Sequence, residues 1–439
     1  MMSRYTRRRF LSQAAALGAA AWRDRSARAD SAAPPAARIV KVETFPVSYP
    51  TVERFKFLEG PRGELLGRQT LVVKITAEDG AVGWGQCVPS HRWSYETLET
   101  VQTTVERYLT PVLIGTNAFD VDGIHAAMNR MIAPSFSTGQ PIAKAGIDLA
   151  LWDLIGRRRN RNVGDLIREG TPPFRSGKPT ASRSARISPP PQSDGAPAGT
   201  ITLSWTLNPR TLDDVPAMID EGRKRGYRNF NVKIAPDPKF DLELCRLVKR
   251  FAPDGFLWAD ANGGYDEATA LAVAPRLADI GVPVLEQPLP ANRLTGYRRL
   301  RKQHALPILM DEGIVSAVEL EEFIRLELLD GISVKPARCG GLTEARRQID
   351  LCRGHGLMWL GSGLTDPDLS LAASLVLFGA YDYRYPAALN APQFLANRSI
   401  LARPLRPAGD RLAVPTGPGL GVEVDGAKIA PYRDRRPND

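Results

Sequence analysis

The chain is poor in soft metal ligands and in thiols: its 439 residues include 4 histidines and 4 cysteines. Cys87, Cys245, Cys339 and Cys352 are scattered, and a chain of this length buries a sizeable core without staples, so isolated buried thiols are expected rather than a disulfide framework. His355, in the turn "CRGHGLMW", reads as structural. The apolar run from Phe10 to Trp22 is Ala-rich, too short and too weakly apolar to span a bilayer. It follows Arg7, Arg8 and Arg9 and precedes Ala27-Arg28-Ala29, a small-x-small cleavage site. Residues 1–29 therefore read as a twin-arginine export signal, which sends the mature chain to the periplasm or beyond with no membrane anchor. Strong basic charge is lacking too, because this segment carries seven arginines and one acid, and without it the net charge falls from +10 to +4. Nucleic-acid binding thereby loses its main support.

What is present suits a soluble globular chain: 43% hydrophobic and 24% charged residues, in the ordinary range for such domains. Residues 39–170 combine strand-like runs ("RIVKVETFPV", "TLVVKITAEDGAVGWGQ") with helical periodicity at 95–109, 119–131 and 141–157, an α+β unit. Residues 171–199 are rich in Pro, Ser, Gly and Arg and read as a flexible linker or inserted loop. From residue 200 to 400, short apolar strands alternate with amphipathic helical stretches. Polar residues close each strand: Thr206, Lys233, Asp260, Glu286, Asp311, Lys335 and Ser362, at successive intervals of 27, 27, 26, 25, 24 and 27. A regular strand-plus-crossover repeat predicts a parallel (β/α) barrel, with another helix and strand at 375–385. Residues 401–439 are expected to return to the first domain.

Barrel strand ends converge on one opening, so Asp260, Glu286 and Asp311 should face one another. Three anionic carboxylates packed together repel, and either one is protonated or a cation sits among them. Oxygen-only ligands on a rigid frame suit Mg²⁺, or Mn²⁺, better than zinc, and no His or Cys stands at these strand ends. Lys233 and Lys335 end the strands on either side. Two amines flanking the acids suggest proton chemistry on two faces; the plainer reading is an ion pair with a strand-end acid, such as Lys335 with Glu312.

With these motifs in hand, "AGIDLALWDLIG", "DANGGY", "EQP", "DEG" and "KPARCGGLTEA", the chain resembles the enolase superfamily, and within it the muconate lactonizing enzyme (muconate cycloisomerase) subgroup. The likeness covers about residues 39–400. It implies a modified (β/α)₇β TIM-type barrel with an N-terminal α+β capping domain, Mg²⁺ held by Asp260, Glu286 and Asp311, and Lys233 and Lys335 as the acid/base pair. Asn262 would stand behind the metal or beside substrate. The shared reaction is abstraction of the proton α to a carboxylate through an enediolate, as general accounts of the superfamily describe. A homo-oligomer is also implied.

Two positions depart from the family pattern. "FNVKI" has Asn231 where relatives carry a lysine, and its amide is a candidate substrate contact. "GSGLTDPDL" has Asp366 and Asp368 where many relatives have a glutamate; these acids either orient a substrate group or cap the next helix. The lack of a His-Asp dyad at the sixth and seventh strand ends argues against the mandelate racemase subgroup. Specificity is expected from the loops "SYPTVERFKF" and "PSHRWSYE", where Arg54, Lys56, Arg92 and Trp93 either bind an anionic or hydroxylated substrate or are ordinary surface residues. The expected activity is a racemase or epimerase of a small carboxylate. A sugar-acid dehydratase or a cycloisomerase is the alternative on the same scaffold, and an exported solute-binding protein the alternative of another class.

Overall fold

Alternating apolar residues build the first sheet. The computed structural model describes residues 36–60, 62–134, 138–171 and 199–433. The expected export signal, and the expected linker apart from Thr171 and Gly199, lie outside the described residues. Strands β1 (Ile39–Tyr49), β2 (Arg68–Ala77) and β3 (Val82–Cys87) form an antiparallel meander, with β2 buried almost throughout. Helices α1 (Leu98–Thr103) and α3 (Pro141–Arg158) lie against it, and α2 (Val121–Met131) and α4 (Val163–Gly170) pack on α3. Helix α3 is apolar nearly all round and sits in the interior, as such a helix must. It lies directly on β3 because Gly83 and Gly85 alternate there: a Cβ on Gly85 would overlap the Gly146 carbonyl, and one on Gly83 the Ala150 carbonyl.

The strands that follow are β4 (Thr200–Thr202), β5 (Trp205–Leu207), β6 (Phe230–Lys233), β7 (Leu257–Asp260), β8 (Val284–Glu286), β9 (Ile308–Met310), β10 (Gly331–Val334), β11 (Met358–Gly361) and β12 (Arg411–Ala413). Strands β5 to β11 make one parallel sheet in sequence order, and the helices that follow each of them, α5 (Val215–Lys224) to α11 (Asp368–Ala380), form the outer layer. The stretch "TITLSWT" is not one strand. It splits at Leu203-Ser204, and β4 leaves the barrel to pair antiparallel with β12. The eighth strand is reduced to Ala387 and Ala388, which bridge Leu203 on one side and Ser362 on the other. That closes the barrel later than the 375–385 expected from sequence.

Two faces of each barrel strand feed two cores. Trp258, Val284, Leu309 and Leu360 point into the lumen, while Leu257, Leu285, Ile332 and Val334 pack against the outer helices; this is the side-chain alternation of a closed sheet. The capping domain is pinned to the barrel at Asp148 of α3. Its carboxylate accepts hydrogen bonds from the Thr343 backbone N–H and hydroxyl and pairs with His125 at 2.7 Å. The chain beyond residue 400 runs back over α3: Leu420 N–H donates to Asp153 at 2.8 Å and Arg157 pairs with Glu423 at 2.9 Å. All four cysteines are buried and unpaired.

Candidate active site

Strand register assembles the polar residues. Lys233 is the Cα partner of Asp260, and Asp260 of Glu286, across β6, β7 and β8. Asp311 follows β9 directly and Lys335 follows β10. Five side chains thus form one row around the mouth, with a lysine at each end and three acids between. The acids are buried, at most 1% exposed, and one oxygen from each lies within 4.8 Å of the others.

Each acid is gripped differently. Lys233 Nζ donates to Asp260 Oδ2 at 2.5 Å, and Asn262 donates from its backbone N and Nδ2 to the same carboxylate at 2.9 and 3.0 Å. Lys335 Nζ donates to Asp311 Oδ2 at 2.6 Å; its partner is therefore Asp311 and not Glu312. Arg338 closes the other side of Asp311 and donates to Ser333 O at 2.6 Å. Trp258 Nε1 donates to Glu286 Oε2, leaving Glu286 Oε1 buried with no partner.

The electrostatics follow from these grips. Burial pushes the Asp311 carboxyl up, but the Lys335 ammonium and Arg338 guanidinium outweigh it and hold the group at about 2. Glu286 lies well above the usual carboxylate range, first from burial and then from the charges of Asp260 and Asp311. Glu312, with Oε2 also unpartnered, is raised well above its ordinary value by burial and by Asp311. Burial alone would lower the Lys233 ammonium, yet Asp260 and Glu286 win and keep it above its ordinary value. An orphaned carboxylate oxygen among three convergent acids, with no nitrogen or sulfur donor, is a donor set that fits a hard divalent cation. Mg²⁺ and Mn²⁺ meet that description; zinc does not.

A cavity enclosing ≈ 460 Å³ of empty space, its mouth included, opens beside the row. Lys233, Lys335, Asn231, Asn262 and Trp93 line it. The Trp93 ring lies 4.4 Å from Lys335 Nζ, a distance at which an aromatic face attracts an ammonium.

Residues 214–428 match the family model described as enolase C-terminal domain-like, and residues 63–168 match the mandelate racemase / muconate lactonizing enzyme N-terminal domain. The chain belongs to the enolase superfamily. It is 30% identical over 368 residues to a chloromuconate cycloisomerase of Cupriavidus necator, covering 82% of this chain and 90% of that one. It is also 30% identical over 385 residues to an N-succinylamino acid racemase of an Amycolatopsis species, covering 87% and 94%. The fold superposes on muconate lactonizing enzyme from Pseudomonas fluorescens with a TM-score of 0.77 at 23% identity, over 91% of this chain and 100% of that one.

Not every residue expected at the site of this enolase-superfamily chain reaches it. Arg54 pairs with Glu59 and donates to Asn208 O at 3.1 Å, while Arg92 donates to Glu59 O. Both hold the loop and neither lines the cavity. Lys56 also stands off the wall, its ammonium pushed down to about 8 by burial and by Lys233. Asp368 does not cap α11, whose N-cap is Pro367. Its carboxylate accepts from Tyr49 OH at 2.8 Å, from the Ser399 hydroxyl and from Ile400 N–H at 2.9 Å, so both its oxygens are engaged within the protein, away from the cavity lining. Asp366 lies behind the cavity wall and accepts from Leu364 N–H at 3.0 Å.

Other site residues were not singled out from sequence. Arg338 was visible as the second base of "KPAR", one turn beyond Lys335, and Trp258 as the residue two before Asp260 on the same strand face. Arg68, Ser90, Thr365 and Asn390, which also line the cavity, come from segments whose approach to the mouth has no local signal.

Proposed function

We propose that the chain abstracts the proton α to a carboxylate with the help of a divalent cation, and that it is a racemase or epimerase. One observation carries the reading: the acid row has an amine at both ends, Lys233 on Asp260 and Lys335 on Asp311. A lysine on each side of a bound substrate removes the proton from one face and returns it on the other. Asp260, Glu286 and Asp311 would hold Mg²⁺ or Mn²⁺, which when bound supplies the positive charge that a substrate carboxylate needs to become an enediolate. Lys233 and Lys335 carry the proton, Arg338 and Asn262 fix the carboxylates, and Trp93 covers the Lys335 side and excludes water from it.

The relatives include cycloisomerases as well as a racemase, so cycloisomerisation is the second reading on the same scaffold. The complete acid and lysine row speaks against a solute-binding protein. Family resemblance further supports a homo-oligomer, and the arginine cluster at Arg7, Arg8 and Arg9 supports export. Replacing Arg8 and Arg9 by lysine is expected to retain the chain in the cytoplasm, as read by cell fractionation.

The deciding experiment is incubation of the purified chain in D₂O with N-acylated amino acids, dipeptides and sugar acids. Racemisation predicts α-deuterium incorporation with loss of optical purity, dependent on Mg²⁺ and absent in Lys335→Ala. A 2-keto acid product assigns dehydration instead, and tight binding without exchange assigns solute binding.

A further inference from the structure

Helix α3 begins without a cap of its own. Its N-cap residue, Gln140, stands at positive φ and makes no capping bond, and Gln140 Oε1 is buried without a partner. Pro141 has no N–H to offer, so the first free donors are the backbone N–H groups of Ile142 and Ala143. Glu96 takes both. Its Oε1 accepts from Ile142 at 2.8 Å and its Oε2 from Ala143 at 2.9 Å, and the side chain is fully buried. A carboxylate suits a helix N-terminus, yet burial pushes this one up to about 7, against the pull of the two N–H groups and of Lys144. A serine or aspartate at position 140 is the simpler cap. What the distant carboxylate adds is a tie between α3 and another segment.

That segment is the turn 90–95, which carries Trp93 to the cavity. Trp93 N–H and Ser94 N–H both donate to Ser90 O, at 3.0 and 2.7 Å, and Glu96 N–H donates to Ser94 Oγ at 3.3 Å. The turn is therefore one unit that ends at Glu96. Its start is gripped as well, by Arg68, which donates to Val88 O at 3.0 Å and to Pro89 O at 2.7 Å. The Trp93 ring lies over Lys335 and edge-on to Phe57, contacts of broad geometry that leave its place to the backbone beneath it. Helix α3 gives that backbone a fixed reference, being buried almost all round and pinned to the barrel through Asp148. A second bond to this side, Tyr95 OH to Thr138 O, is long at 3.3 Å and exposed.

We propose that Glu96 is a positioning residue of the active site: by capping α3 from a distance it fixes the 90–95 turn, and with it the Trp93 ring on Lys335. This rests on the reading above that Lys335 carries the proton. Without the tie, the ring leaves the amine and water reaches it.

Fluorine spectroscopy on the full chain tests it. Labelling with 5-fluorotryptophan gives each ring a signal, and Trp93→Phe, Trp84→Phe and Trp152→Phe identify those of the turn, of β3 and of α3. Glu96→Ala is expected to shift and broaden the Trp93 signal while those of Trp84 and Trp152 stay in place; Glu96→Gln, which keeps one acceptor, should do the same by less. Tyr95→Phe should leave all three unchanged. Three signals that move together in Glu96→Ala, a Trp93 signal that does not move, or one displaced as far by Tyr95→Phe overturns the assignment. Amide exchange in the wild-type chain needs no variant to fold. The N–H groups of Trp93 and Ser94 should share the protection of Ile142 and Ala143, because one opening frees all four; free exchange in the turn beside a protected helix end overturns the assignment. The α-deuterium exchange rate with Mg²⁺ is expected to fall about tenfold or more in Glu96→Ala, the effect of a displaced wall residue, and an unchanged rate beside a displaced Trp93 signal likewise overturns the assignment. A wild-type chain that exchanges no probe overturns the proposed function instead, and the fluorine signals then decide whether Glu96 holds the turn.

Discussion

Asp366 and Asp368 stand two residues apart and are held in unlike ways. Asp368 ties Tyr49 of the capping domain to Ser399 and Ile400, so Asp368→Ala should cost about 2–4 kcal/mol of stability in urea denaturation, from stranded buried groups, while leaving exchange per folded molecule intact. An equal loss of exchange would give it a role in the site after all. Asp366 has one oxygen buried without a partner, and burial, only partly opposed by Arg68, lifts it to about 6. A carboxyl raised above its unfolded value of about 3.9 binds its proton more tightly in the native state, so its contribution is full at low pH and is lost as pH rises through 6. Asp366→Asn should therefore gain on wild type by about 2 kcal/mol between pH 4 and pH 7. Urea midpoints at pH 4.5 and 7.5 test this, and a constant difference between the two proteins would show that Asp366 is ionised in the fold.

At the scale of the element, the strand ends were legible because a parallel barrel repeats one unit and puts the last residue of each strand in the same place. Lys233, Asp260 and Glu286 needed only that rule. The first and last strands resisted it. In "TITLSWT" the apolar alternation runs on through Leu203, but β4 finds its partner in β12, more than two hundred residues away in the chain, and no local pattern encodes that choice. Ala387 and Ala388 close the barrel through two isolated backbone bridges, too short a stretch for strand periodicity to mark. The glycines of β3 were read as part of a strand, and their purpose appears only when α3 is laid on top. Gly85→Ala drives a methyl group into the Gly146 carbonyl and should cost about 1–3 kcal/mol by lifting the helix, measured by urea denaturation. Gly80, at an open turn with nothing near its Cβ position, is the comparison: it has positive φ, so Gly80→Asn should cost about 1 kcal/mol or less.

For the molecule as a whole, the acid row joins three strands that come from three separate repeats, and that couples occupancy of the row to global stability. A cation that binds the assembled row and not the unfolded chain stabilises the fold by mass action, about 2.7 kcal/mol at a hundredfold excess over its dissociation constant. Mg²⁺ and Mn²⁺ should therefore raise the melting temperature of the chain, while chelation should lower it to a common baseline. Glu286→Gln gives the sharpest contrast, because it removes charge where the unpartnered oxygen lies and keeps the acceptor for Trp258. It also relieves repulsion among the acids, so the variant should melt at or above wild type without metal and lose most of the metal-induced rise. A rise of equal size in the variant would mean that the cation binds elsewhere, and the row of acids would then be a structural ion-pair cluster with its lysines as permanent partners.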